Sequence, residues 1–71
     1  MKEFINRLLA KYNGIINELE ELDNLCRTTL EEANLNGNYS EEDIALLMVF
    51  ARDNHKRLQF AKAERELIDQ Y

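Results

Sequence analysis

Proline is absent from the 71 residues, and glycine occurs only at positions 14 and 37. Proline interrupts regular structure by removing a backbone donor, and glycine does so through its conformational freedom. A chain with so few of either is expected to fold into few, long elements. Cysteine occurs once, as Cys26, which excludes an internal disulfide framework and any zinc site built on two cysteines of one chain. A lone thiol fits a reducing compartment, so the expected location is cytoplasmic. The longest uninterrupted apolar run is "IALLMVFA", residues 44–51. That is far short of the roughly twenty residues needed to span a bilayer, so no membrane segment is expected. The opening stretch, "MKEFINRLLAKYNGIIN", carries Lys2 and Arg7 but neither an unbroken apolar region nor a small-residue cleavage site. No secretory leader is expected from it.

What is present is mostly aliphatic and charged. Apolar residues make up 45% and charged residues 32%, a balance that favours a folded core over a disordered tail. The length suffices for one small domain, residues 1–71. Nine Lys and Arg stand against 14 Asp and Glu, for a net charge of −5. A general nucleic-acid binder needs a cationic surplus to meet phosphates, so this balance argues against that class.

Apolar residues of the first half recur at alternating steps of three and four: Met1, Ile5, Leu8, Tyr12, Ile15, Leu19, Leu22, Cys26, Thr29, Ala33. The spacing predicts a helix over about 2–34 with an apolar seam of period 3.5. Phe4, Leu9, Ile16, Leu25 and Leu30 flank the seam and widen it to about half the circumference. Asn13-Gly14 is a turn signal inside this pattern, and a glycine within a helix costs about 1 kcal/mol relative to alanine. The pattern nevertheless keeps its phase from Tyr12 to Ile15. A continuous helix is therefore expected, with Gly14 as a close-packing or kink position. A break at Asn13-Gly14, giving a compact three-helix bundle, is the alternative.

The firm break is "NLNGNYSEED", residues 34–43. Asn-Gly-Asn tolerates positive φ and ends a helix, with the turn over about 35–40. Ser40 is placed to cap the next helix, and Glu41, Glu42 and Asp43 put negative charge at its positive end. Asp43 lies three residues after Ser40, the spacing of a capping box with a short acid. The second helix then runs over about 41–71. One stripe of it is Ile44, Leu47, Ala51, Asn54, Leu58, Ala61, Arg65 and Ile68. Another lies a third of a turn around: Leu46, Phe50, Asp53, Arg57, Phe60, Glu64, Leu67 and Tyr71.

Two long helices and one short turn define an all-α, antiparallel helical hairpin. With the turn centred near residues 37 and 38, the numbers of facing residues sum to about 75. That register sets Arg52, Lys56 and Arg57 beside Glu18, Glu20, Glu21 and Asp23. Each helix can bury only one stripe against the other, and the remaining apolar surface calls for a further partner. The simplest is a second copy, which would complete a dimeric four-helix bundle of the coiled-coil type.

The expected function is that of a small, non-enzymatic protein–protein interaction module. Adaptors, chaperones and inhibitors of bacterial, phage or plasmid origin are often built on this scale. Its contact face, toward a second copy or a partner protein's helix, is expected at Leu46, Met48, Val49, Phe50, Phe60, Leu67 and Tyr71. Met and aromatic side chains there suit an adaptable apolar surface. Asn54, on the inner stripe, is the polar residue that sets register. His55 could act as a base or ligand oriented by Asp53, but residues two apart do not face each other on a helix. With no second histidine and no Glu-x-x-His pair, no metal site, cofactor or catalytic residue is expected. Cys26, between Leu22, Leu25 and Leu30, is read as a small buried hydrophobe. A slender bundle leaves no pocket for a small-molecule substrate. The alternative function is RNA binding by a Rop-shaped dimer through Arg52, Lys56, Arg57, Lys62 and Arg65. That is similarity of shape alone, because no residue motif here matches the Rop family.

Overall fold

The computed structural model describes all residues, Met1 to Tyr71. It contains two helices, α1 from Lys2 to Asn36 and α2 from Glu41 to Asp69, packed antiparallel as a hairpin. α1 passes through Asn13 and Gly14 without interruption, so the break required by a three-helix bundle does not occur. Nothing lies within 4 Å of the position a Cβ on Gly14 would take. Gly14 is thus not a close approach but an exposed glycine within a continuous helix.

The turn is made by local chemistry. Gly37 takes φ 64° and ψ 13°, and its N–H donates to the Ala33 carbonyl at 3.3 Å. This left-handed residue satisfies one of the last carbonyls of α1, at a backbone conformation that disfavours side chains with a Cβ. At the start of α2, the Asp43 N–H donates to Ser40 Oγ at 3.1 Å and the Ser40 N–H donates to Asp43 Oδ2 at 3.4 Å. The capping box thus forms with the short acid.

The hairpin measures 53 × 14 × 12 Å, with a radius of gyration of 16.1 Å. A compact chain of this length has a radius near 11 Å. A rod buries little of itself, and only Ile16, Cys26, Ala33, Asn54, Leu58 and Ala61 are buried. Ile16, Leu58 and Ala61 form the central cluster, with Leu19 packed against it.

The inner stripe of α2 is the one its spacing indicates. Asn54, Leu58 and Ala61 are buried, and Ile44, Leu47, Ala51, Arg65 and Ile68 are half-buried. α1 differs on one side of its seam. Tyr12, Leu19, Cys26 and Ala33 face inward as expected, but Ile16 is 2% exposed whereas Ile15 and Leu22 are each 44% exposed. One neighbouring helix covers only part of an apolar arc half a circumference wide. α2 lies over the Leu9, Ile16 and Leu30 side and leaves the Ile15 and Leu22 side open.

Contacts between the helices keep the expected register. Tyr12 meets Glu64, Leu19 meets Asn54, and Asp23 meets His55. The acidic and basic clusters do lie at one height, yet no lysine or arginine pairs across the helices; the one such contact is His55 Nδ1 to Asp23 Oδ1 at 3.8 Å, an ion pair only when the histidine is protonated. The lysine and arginine side chains of that region extend into solvent. An exposed pair of this kind contributes well under about 1 kcal/mol.

Candidate functional site

The hairpin has two unlike faces. On one, α1 contributes Leu22, Leu25, Cys26 and Thr29, and α2 contributes Leu47, Phe50, Asp53, Asn54 and Arg57. These residues line a groove of about 380 Å³, floored by the buried Cys26 and Asn54. Helical spacing of three and four extends the same face along both rods. Ile15, Leu8 and Phe4 continue it on α1, and Phe60, Glu64, Leu67 and Tyr71 on α2. Phe50 is 56% exposed and Phe60 68% exposed, so their rings stand largely in water.

The opposite face carries more charge, although Leu30 and Ala51 also line it. Asp23, Arg27, Glu31 and Asn34 of α1 meet Arg52, His55 and Lys56 of α2 around one shallow groove. Leu9 and Asn13 meet Lys62, Arg65, Glu66 and Asp69 around another. Most of the exposed large apolar side chains therefore lie on one side of a two-helix rod, with Met48 on the other.

Of the expected contact residues, Leu46, Phe50, Phe60, Leu67 and Tyr71 fall on the apolar face or its continuation, all of them exposed. Val49 stands at its outer edge, in line with Phe60 by helical spacing. Met48 is in line with Arg52 and His55 instead, on the polar side. Ile15, Leu22 and Leu25 belong to the apolar face too. Their width beyond a single seam is visible in the spacing of α1, but which flank stays open depends on where α2 packs.

Asn54 is 4% exposed. Its Nδ2 donates to the Leu19 carbonyl at 3.0 Å, and its Oδ1 is buried with no donor in the chain. The amide links the middle of α2 to α1, and leaves an acceptor whose lost hydration costs about 1–3 kcal/mol. Asp23, rather than Asp53, is the carboxylate beside His55. No cluster of three or more His, Cys, Asp or Glu is arranged to hold a metal ion.

The five basic residues do not share a face. Arg57 borders the apolar groove, Arg52 and Lys56 flank His55, and Lys62 and Arg65 line the far end of the polar side. Arg65 turns toward α1, donating from Nη1 to Asn13 Oδ1 at 3.3 Å. Helical spacing already spreads residues 52, 57, 62 and 65 around α2, so this dispersion is legible in the sequence.

One titrating group is perturbed. The Tyr12 hydroxyl donates to Glu64 Oε2 at 2.9 Å across the helices. That bond to a carboxylate holds its pKa above the usual 10, with partial burial and the negative charge of Glu64 adding to the effect. No helix is long and apolar enough to cross a membrane. Comparison with protein-family models, curated proteins and solved structures finds no match to this chain.

Proposed function

We propose that this chain is a non-enzymatic protein–protein interaction module whose apolar face is covered by two helices of a partner, completing a four-helix bundle. The observation that carries this reading is the concentration of exposed large apolar side chains along one side of the hairpin. Phe50, Phe60, Leu67 and Tyr71 on α2 lie beside Phe4, Ile15, Leu22 and Leu25 on α1, all exposed. An exposed, largely apolar face of this extent on a small protein favours a contact surface.

Surface area supports the same reading. The chain exposes 5799 Å². A compact monomer of 8.4 kDa exposes about 4,600 Å². The excess, roughly 1,200 Å², exceeds the approximately 800 Å² that each partner contributes to a standard interface.

The test compares wild type with Phe50→Asp and with Glu66→Lys, a charge change on the polar side. Mass in solution and partner capture are read by light scattering and pull-down, with helix content followed by circular dichroism. Phe50→Asp is expected to keep its helices and weaken association about 10- to 100-fold, because it places a charge at the centre of a buried patch. Glu66→Lys is expected to associate as wild type does. Raising salt from about 50 to 200 mM should change apolar association little, whereas contact with nucleic acid through Arg52, Lys56, Arg57, Lys62 and Arg65 would weaken steeply. Unchanged mass, partners and melting point in Phe50→Asp would show the face to be misassigned.

A further inference from the structure

Along the exposed row of α2, the order Phe50, Asp53, Arg57, Phe60 is spaced three, four, three. Read in reverse, the spacing is the same, with the aromatics exchanged for each other and the acid exchanged for the base. An interface across a two-fold axis must be complementary to itself. This row is self-complementary about a point midway between Asp53 and Arg57. Antiparallel contact with its own copy there sets Asp53 against Arg57 twice and Phe50 against Phe60 twice.

We infer that the two covering helices come from a second copy of this chain, packed face to face and antiparallel, with the two-fold axis crossing α2 between Asp53 and Arg57. The inference rests on the reading of this face as a protein-binding surface. α1 agrees with the placement. At the height of Asn54 and His55, α1 presents Leu19 and Asp23. Ile15 and Leu25 lie on either side of that height, so the same axis brings Ile15 over Leu25 of the second copy.

The charges fit as well as the shape. Asp53 and Arg57 are four residues apart on one helix, an arrangement suited to an intrahelical pair. The ion pairs of the chain are nevertheless Arg7–Glu3 and His55–Asp23. Asp53 and Arg57 both border the apolar groove with their charges unengaged. In a parallel pairing each charge would meet its own kind, which disfavours that arrangement.

Charge exchange tests this directly, with dimerisation measured by analytical ultracentrifugation and folding by circular dichroism. Wild type is expected to sediment at twice the chain mass of 8.4 kDa. Asp53→Arg alone and Arg57→Asp alone are each expected to raise the dimer dissociation constant about 100-fold or more, since each creates two like-charge contacts. An equimolar mixture of the two variants should recover the dimer, because every contact then pairs opposite charges. The double variant Asp53→Arg/Arg57→Asp should dimerise as wild type does. Recovery on mixing also shows that the single variants are folded. Two outcomes overturn the inference. In one, wild type is monomeric while Phe50→Asp still abolishes capture of another protein, which leaves the interaction reading standing with a different occupant. In the other, the dimer is indifferent to all four charge arrangements, which places the axis elsewhere.

Discussion

Tyr12 and Glu64 are 52 residues apart in sequence and 2.9 Å apart in space. Neither is conspicuous along the chain, one being a seam aromatic and the other a charge in a helical row. Packing turns them into a hydrogen bond that favours the neutral phenol, which raises the Tyr12 pKa. A group whose pKa is raised on folding contributes stability that is fully present below its unfolded value, near 10, and is lost as pH climbs through the raised value. Ultraviolet titration should therefore show the Tyr12 phenol ionising above the usual tyrosine range. In Glu64→Gln that late step should move down toward the ordinary range. Tyr12→Phe should flatten the loss of stability above pH 10. A titration unchanged between wild type and Glu64→Gln would show that the bond does not persist in solution.

At the scale of the helix, the two glycines form a matched pair. A Cβ at either would meet nothing within 4 Å, so the space around them is equivalent. They differ only in backbone: Gly14 is helical, and Gly37 has φ 64°. Gly14→Ala is expected to stabilise the fold by about 1 kcal/mol through helix propensity, raising Tm by roughly 4–8 °C. Gly37→Ala should lower Tm instead, because alanine in the left-handed region is strained. Thermal melts of both variants check the pair, and a Gly14→Ala melt at or below wild type would show that Asn13-Gly14 frays in solution. The caps follow the same local logic. Ser40 and Asp43 satisfy each other's backbone donors with no contribution from α1.

For the whole molecule, the relative height of the two rods is the quantity to be determined. Aliphatic contacts between long helices are tolerant of sliding, since one leucine replaces another at the next turn. Asn54 is the polar exception among these contacts: its amide meets the Leu19 carbonyl. The cost is an acceptor, Oδ1, buried without a donor. Asn54→Leu is expected to raise Tm by about 4–8 °C, because it removes that penalty and extends the apolar core. It should also relax the register, which amide NMR spectra would report as extra or broadened resonances around residues 19 and 54. A destabilised variant with a single sharp set of resonances would assign Asn54 a packing role alone.

Much of the hairpin is written locally. The absence of proline, the 3–4 spacing, Gly37 and the Ser40–Asp43 box determine two helices and the turn between them, because each signal acts within a few residues. The inner stripe of α2 is legible for the same reason: it is the row richest in small and aliphatic side chains. The inner flank of α1 is not legible. Ile15 and Ile16 are neighbours of identical chemistry, and only the side on which α2 lies makes one of them core and the other surface. Met48 falls within an unbroken apolar run, but its spacing of four and seven from Arg52 and His55 already sets it on their side of the helix. The open apolar face is a consequence of packing, since periodicity sets how wide the apolar arc of a helix is and a neighbour decides which part of it remains in water.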